Sequence, residues 1–170
     1  MTLTLLLFDT IDFLKYEYYR PRKINRLLKH NPFIDFEKKG FKKNNNQLIG
    51  QISGYCVCVG IEWEAYQKKP NYYFKVLYNP LSLNRYITFN EFIKFNDLID
   101  KDGFYINPNS IERSCSKREL FKYHYRDILR DIDKMIVFLK LKDCCYVSYD
   151  EWESSFTKAE EIHDDYLLMI

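Results

Sequence analysis

The pair of side chains with the clearest metal-binding spacing lies near the end of the chain, where Glu160 and His163 are three residues apart. On a helix they share one face, and di-iron helical bundles use two such pairs together with two further glutamates. This chain carries one copy, which is equally typical of a solvated helix face. The cysteines at 56 and 58, and those at 144 and 145, lack the two-residue gap of a zinc knuckle. We therefore predict no metal site and no cofactor.

Nucleophilic catalysis needs a Ser or Cys held beside a base. Ser53 lies in a glycine-flanked segment that lacks the glycine spacing of a nucleophile elbow. Cys115 precedes two bases near a predicted helix start, which would lower its pKa, but no histidine partner is evident. Asp35 and Glu37 precede two lysines and would suit Mg²⁺ and phosphate. A metal-dependent enzyme is thus the weakest alternative, and we predict that the protein is not an enzyme.

Bases are concentrated between Arg20 and Lys43, with nine Lys and Arg against two acids and with three phenylalanines interleaved. Such a stretch would follow a nucleic-acid backbone and offer faces on which bases stack. The isoelectric point near 8.2 is below the strongly basic range of dedicated nucleic-acid-binding domains. Nucleic-acid binding is therefore kept as an alternative function. Its candidate residues are Arg22, Lys23, Arg26, Lys38, Lys39, Lys42 and Lys43.

Acidic residues are concentrated at the opposite end of the chain. Asp143 to Ile170 holds eight acids and one base, whereas the preceding 142 residues hold 16 acids and 25 bases. The net charge of +2 therefore combines a body of +9 with an end of −7. Such asymmetry bears on partners and association rates rather than on fold. Two explanations fit this asymmetry equally well. The acidic helix either docks on the protein's own basic surface or meets a cationic partner.

A capping box that starts at Ser116 predicts the clearest helix, because Ser and Glu three residues apart satisfy backbone N–H groups at a helix start. Apolar residues then recur at three- and four-residue steps as far as Leu139. The pattern predicts one long amphipathic helix. Asp131 is among the polar residues predicted on its outer side.

Two further capping boxes start at Thr88 and Ser148. The first predicts a helix that ends near Ile99, and the second predicts a C-terminal helix that carries most of the acidic residues. In the N-terminal third, the sequence predicts a helix over residues 11–19 and another from Pro21 to about Leu28, since proline is well suited to a first helical turn.

Residues 47–69 are ambiguous. Their apolar residues fit a helical stripe that three glycines weaken, while residues 55–63 alone would also form a buried strand. We favour the helix on the length of the stripe. Extended segments are predicted at 72–78 and 104–106, and an exposed polar loop at 38–46. The predicted fold is a single domain over residues 1–170, mainly α with minor β elements, with α+β as the other possibility.

The five cysteines are odd in number, and two pairs are too close in sequence to link distant segments, which favours reduced thiols in a cytosolic protein. The apolar run over residues 1–8 has no preceding basic region, so we predict no signal peptide. No run approaches the length that spans a bilayer, and no membrane association is predicted. The expected compartment is the cytoplasm.

These features favour a binding protein. The leading hypothesis is an intracellular immunity protein of bacteria that neutralises a toxin, in particular a basic nuclease, by direct contact through an acidic surface. The acidic segment also contains aromatic residues that would anchor a partner at the centre of the contact. The candidate contact residues are Asp150, Glu151, Trp152, Glu153, Glu160, Glu161, Asp164 and Asp165.

Overall fold

The computed structural model describes residues 13–63, 69–79, 81–82, 85–86, 89–99, 103–107, 109–120 and 122–153. Its centre is an antiparallel sheet of six strands. The strands in chain order are β1 (Lys42–Asn44), β2 (Gln47–Ile52), β3 (Tyr55–Glu62), β4 (Asn71–Leu77), β5 (Leu81–Ser82), β6 (Arg85–Tyr86), β7 (Tyr105–Asn107) and β8 (Ser110–Cys115). The six-stranded sheet has the order β1-β2-β3-β4-β8-β7, and β5 pairs with β6 separately.

Helices precede, interrupt and follow the sheet in sequence. They are α1 (Leu14–Tyr19, π-helical), α2 (Arg20–Leu27), α3 (Phe33–Lys38), α4 (Phe89–Ile99), α5 (Lys117–Leu120) and α6 (Tyr125–Leu141). Residues 149–153 are also helical. No helix within the described ranges is both long enough and apolar enough to cross a membrane.

The sheet overturns the predicted fold class, because the described part of the chain is α+β and not mainly α. The favoured helix over residues 47–69 is wrong, since β2 and β3 form a hairpin there. Ser53 and Gly54 make its two-residue turn with φ of 52° and 90°, the left-handed values that match strand twist. The alternative of a buried strand from residue 55 is confirmed by β3. Residues 64–68 lie outside the described ranges.

The apolar pattern of residues 47–69 led to a wrong prediction of a helix because β3 is central in the sheet and buried along seven consecutive residues. A strand covered on both faces loses the alternation of apolar and polar residues that identifies a strand. Its apolar run then matches a helical template as well as a strand template. The strand predicted at 72–78 is confirmed by β4, and the one at 104–106 corresponds to β7.

One face of the sheet packs against α2, α3, α5 and α6. Val57 and Val59 of β3 and Phe74 of β4 point into this core together with the apolar side of α6. The ring of Phe36 on α3 lies 4.8 Å from the ring of Tyr125 at the start of α6. This packing brings helices α2 and α3 beside the junction of α5 and α6.

The opposite face of the sheet carries a second, smaller apolar cluster. Cys56 and Cys58 of β3 and Leu77 of β4 are buried there beneath Val147. Tyr149 and Trp152 pack against the same cluster. The segment that follows α6 is therefore the cover of this face.

The predicted long helix from Ser116 is two helices. Its capping box forms, since the Ser116 N–H donates to Glu119 Oε2 at 2.7 Å, but α5 ends at Leu120. A second box then starts α6, where the His124 N–H donates to Asp127 Oδ2 at 3.0 Å. The apolar face predicted for the later part is correct, because α6 buries residues at its three- and four-residue steps.

The N-terminal third agrees with prediction in one part and differs in another. Pro21 lies in the first turn of α2, as predicted, although α1 runs into α2 without the expected stop. The exposed loop predicted at 38–46 is wrong at its centre, because residues 42–44 form β1 and pair with β2. The lysines of β1 are exposed, so their polarity fits an edge strand as well as a loop.

The outward position predicted for Asp131 is wrong. Asp131 is 4% exposed and faces the sheet from α6. Its Oδ2 accepts a hydrogen bond from Arg113 Nη1 of β8 at 2.9 Å. A buried carboxylate is tolerated where a cation also donates a hydrogen bond to it. This ion pair ties α6 to the strand next to β4.

We expect Asp131→Asn to lower the free energy of unfolding by about 1–3 kcal/mol, the usual worth of a hydrogen bond to a charged group. The matched control is Asp133→Asn, which removes the same charge from an exposed position on the same helix and should change stability by less than about 0.5 kcal/mol. Urea unfolding measures both variants. Equal stability of the two would show that the ion pair with Arg113 contributes nothing.

Candidate functional site

The first candidate surface is the acidic turn, defined here as residues 148–153. It carries Asp150, Glu151 and Glu153, three of the predicted partner-binding carboxylates, and all three are exposed. Neither Asp150 nor Glu153 forms an ion pair with a cation in the part of the chain that the structure describes. The negative charge of these two residues is therefore directed to solvent.

A capping box holds the acidic turn in shape, as predicted from Ser148. The Ser148 Oγ and N–H donate to Glu151 Oε2 at 2.7 and 3.1 Å, and the Glu151 N–H donates back to Ser148 Oγ at 3.3 Å. The hydrogen bonds from the side chain and backbone of Ser148 hold the pKa of Glu151 below its ordinary value. Glu151 is thus a helix cap as well as a surface carboxylate.

Side-chain hydrogen bonds fix the acidic turn to the sheet. Trp152 Nε1 donates to the carbonyl oxygen of Asn109 at 3.1 Å. Gln47 Nε2 donates to Tyr149 Oη at 3.0 Å, and Gln47 Oε1 accepts from Tyr73 Oη at 2.8 Å. The rings of Tyr149 and Trp152 lie 5.8 Å apart. These contacts give the turn a fixed position relative to β2, β4 and the β7–β8 turn.

The segment before the turn is fixed as well. Tyr55 Oη donates to the carbonyl oxygen of Cys144 at 2.6 Å, in a buried position. The backbone N–H of Asn79 donates to the carbonyl oxygen of Cys145 at 2.9 Å. The chain from the end of α6 to the acidic turn is therefore tied to strand β3 and to the residues just after β4.

Trp152, predicted as an aromatic contact for a partner, is half-buried and supports the turn from beneath. Its indole N–H is used within the protein, so the described arrangement gives this residue a positioning task. The remaining predicted contacts lie outside the described ranges, as does the Glu160 and His163 pair. They are Glu160, Glu161, Asp164 and Asp165.

The second candidate surface is the basic groove, an open cavity of about 1170 Å³ on the helical side of the sheet. It runs between α1 and α2 on one wall and the α5–α6 junction on the other. Its apolar floor includes Phe33, Tyr72 and Leu120. Its volume exceeds the roughly 300–1,000 Å³ that is usual for small-molecule pockets.

Five bases line the groove, and none of its described lining residues is an acid. Arg22, Arg26 and Lys29 follow one another at steps of four and three residues, so they form a single stripe along α2 and the turn after it. Lys23 adds a fourth base, and Lys117 stands on the opposite wall. The wall of α2 is thus a row of like charges.

Aromatic and imidazole groups accompany these bases. Tyr18 and Tyr19 of the π-helical α1 are 51% and 55% exposed at the groove. The Arg22 guanidinium lies 5.6 Å from the ring centroid of Tyr18, and Lys23 Nζ lies 3.2 Å from Tyr19 Oη. His30 and His124 also line the cavity. The groove therefore combines positive charge with tyrosine side chains that are more than half exposed.

The groove divides the predicted nucleic-acid residues into two sets. Those on α2 line it, whereas Lys38 and Lys39 are exposed at the end of α3 and the other two lie on β1. Lys43 Nζ donates to Asn25 Oδ1 at 2.6 Å, which ties β1 to α2. The set in the groove comprises Arg22, Lys23 and Arg26, and the set elsewhere comprises Lys38, Lys39, Lys42 and Lys43.

Sequence reasoning did not assign the rest of the groove. Lys29 follows Arg22 and Arg26 at helical spacing, and this spacing is the sequence pattern that could have indicated its place in the groove. Lys117 and His124 are about ninety residues further along the chain, and only packing brings them opposite α2. No local sequence pattern indicates that Lys117 and His124 lie near α2.

The bases that follow Cys115 in sequence do not give it a lowered pKa. Burial first, and the nearby Glu119 carboxylate second, raise the pKa of this thiol to about 12. Cys115 is therefore protonated at neutral pH and unsuited to act as a nucleophile. Within the described ranges, no three or more His, Cys, Asp or Glu side chains come together as metal ligands.

Comparison with known proteins adds no further assignment, since no protein-family model, curated protein or solved structure matches this chain.

We expect Trp152→Ala to destabilise the protein by about 1–3 kcal/mol, less than the loss of a fully buried Trp, because it removes half-buried packing and the hydrogen bond to Asn109. Trp152→Phe keeps most of the ring and should lose only about 0.5–1.5 kcal/mol for the hydrogen bond. Tyr146→Ala is the control, since Tyr146 is 69% exposed. Thermal and urea unfolding rank the three variants. A loss for Trp152→Ala no greater than that of the control would contradict the docking described above.

We expect Ser148→Ala to raise the pKa of Glu151 part of the way towards its ordinary value, because the hydrogen bond from Ser148 Oγ to the carboxylate is lost while the backbone N–H of residue 148 remains as a donor. A folded-state pKa below the unfolded one stabilises the protein at neutral pH, and this contribution is lost as the pH falls through the folded value. Carbon-detected NMR titration of the Glu151 carboxyl measures the shift. The pKa of Glu119, which Ser116 holds low in the same way, should stay unchanged. An unshifted Glu151 in Ser148→Ala would exclude the cap as the cause.

Proposed function

We propose that this protein is an inhibitor that works by direct contact with another protein, in its concrete form a bacterial immunity protein that neutralises a toxin. The observation that carries the proposal is the acidic turn. Its backbone is fixed to the sheet by Trp152 and Tyr149, and the carboxylates of Asp150 and Glu153 point to solvent. A rigid surface of one sign of charge is suited to a cationic partner.

The expected mechanism is occlusion of a basic toxin surface, such as the nucleic-acid path of a nuclease. Complementary potentials accelerate the encounter and select among partners, even where they add little net affinity. A fixed turn loses little conformational freedom on binding, which lowers the entropic cost of association. In this proposal Glu160, Glu161, Asp164 and Asp165 are further contact residues for the partner.

The proposal places the protein in the cytoplasm, where a toxin that has entered the cell acts. All five cysteines are free thiols, and four of them are buried. Free thiols are the usual state in a reducing compartment. The high pKa of Cys115 also favours a structural thiol over a catalytic one.

The test is the association of the protein with a nuclease-toxin domain encoded beside its gene. The variant Asp150→Lys/Glu153→Lys reverses two exposed charges and leaves the Glu151 cap intact. We expect its association rate constant to fall at least about tenfold at low salt and much less at high salt, because steering by exposed charges is screened by ions. Stopped-flow measurements at two salt concentrations give these rates.

The matched control is Asp133→Lys/Glu37→Lys, which reverses two exposed acids on α6 and α3. It makes the same change in net charge on elements that pack on the opposite face of the sheet. If the association rate constant falls equally in both variants, the fall is due to net charge alone, and the acidic turn is not the contact. Protection from the toxin in cells that survives the reversal at 150 and 153 would reject it as well.

A second candidate function, nucleic-acid binding, is favoured by one specific observation. Four bases of the segment from residue 20 to 43 line a cavity without a described acidic residue in its wall. This candidate uses the helical side of the sheet, whereas the acidic turn packs on the other side. The two candidates therefore use separate surfaces and are tested separately.

A further inference from the structure

The basic groove is a feature of the described chain that the inhibitor function leaves unused. We infer that it is a binding site for single-stranded nucleic acid, with phosphates on the stripe of Arg22, Arg26 and Lys29 and bases stacked on Tyr18 and Tyr19. This inference rests on the second candidate function and gives it a site and a ligand class.

The charge of the groove favours a polyanion. Arg22 and Arg26 are four residues apart on one helix face, a spacing at which like charges destabilise a helix. None of the residues Arg22, Arg26 and Lys29 forms an ion pair with an acid in the described part of the protein. A ligand that places phosphates along this stripe would relieve the repulsion. The stripe is one-dimensional, which suits a chain of phosphates better than a single anion.

The size of the groove favours a polymer segment over a small metabolite. A volume of about 1170 Å³ is above the usual range for drug-sized ligands. The cavity is also open to solvent, so an occupant can enter it from outside.

The exposed rings favour a single strand over a duplex. Proteins that bind single strands combine a cationic path with aromatic side chains on which bases stack. Tyr18 and Tyr19 present such rings within reach of the stripe, and each is more than half exposed. In a duplex the bases are stacked on one another, so the rings would find no partner. An acidic protein segment would use the charges and leave the rings unused.

The local backbone gives an independent indication. Tyr18 and Tyr19 end the π-helical α1, which runs directly into α2. Runs of π-helix are rare and are frequent at functional sites. Arg20 is buried beneath them, with its guanidinium 4.2 Å from the Tyr16 ring centroid and 5.0 Å from the Trp63 ring centroid. This packing ties α1 to Trp63, the residue that follows β3, and the ring of Tyr19 also contacts the Trp63 ring.

The experiment is fluorescence anisotropy of labelled fifteen-residue probes with the full-length protein: oligo(dT), oligo(U), a DNA duplex of the same length and a poly-glutamate peptide. We expect both single strands to bind more tightly than the duplex and the peptide. Five bases in contact with phosphate give a slope of log K against log salt of about −3 to −4 for a single strand. The two oligonucleotides show whether DNA or RNA is favoured.

The groove variant is Arg22→Gln/Arg26→Gln/Lys29→Gln. We expect it to weaken binding of the single strands at least about tenfold and to flatten the salt slope by about 2. The matched control is Lys38→Gln/Lys39→Gln/Lys140→Gln, which removes three exposed bases outside the groove lining and should change affinity by less than about twofold. Thermal unfolding confirms that both variants are folded.

The rings are tested by Tyr18→Ala/Tyr19→Ala against Tyr18→Phe/Tyr19→Phe. The alanine variant should weaken binding at least about fivefold, the lower bound for loss of one base-stacking contact, while the phenylalanine variant keeps the stacking faces. Equal affinity of the two variants would overturn the stacking part of the inference.

The remaining outcomes distinguish an error about the groove as the binding site from an error about nucleic-acid binding itself. If the control weakens binding and the groove variant does not, nucleic-acid binding stands and the groove is the wrong site. If no oligonucleotide binds near physiological salt, the site and the second candidate function are both wrong. If the poly-glutamate peptide binds as tightly as the strands and with the same sensitivity to variants, the occupant is an acidic protein segment and the inference is wrong.

Discussion

The structure depends on covering two apolar faces of the same strands. Val57 and Val59 of β3 point to one side, and Cys56 and Cys58 point to the other. Helices cover the first side, and the segment that ends at Trp152 covers the second. Exposure of either side to water would cost about 25 cal/mol for each Å² of apolar surface. The burial of apolar surface that stabilises the sheet therefore also holds the chain after α6 in place. It fixes the position of the acidic turn as well.

The same constraint separates charges of opposite sign. The basic groove is built by helices on one face of the sheet, and the acidic turn packs on the other face. Within the described part of the chain, the carboxylates of Asp150 and Glu153 form no ion pair with the bases of the groove.

Features that depend on a few neighbouring residues were predictable from the sequence. The box at Ser148 is one example, because all of its hydrogen bonds lie within four residues. Features that depend on pairing of distant segments were not. The apolar run of β3 has no alternation to distinguish it from a helix, and the inward position of Asp131 needs a guanidinium that only the pairing of β8 supplies. The α2 wall of the groove was visible as a stripe, whereas the position of Lys117 opposite Arg22 follows from packing alone.

The short strand β1 has a consequence for the solution behaviour of the protein. It forms one border of the sheet, and none of the described strands pairs with its outer side. A free border is a template on which another chain can add a strand, and lysines are a common means of preventing this. Lys42 and Lys43 are exposed on β1, so a second copy brought to this border would meet like charges. Positive charge at this border therefore disfavours the addition of a second copy of β1 there, independently of any ligand.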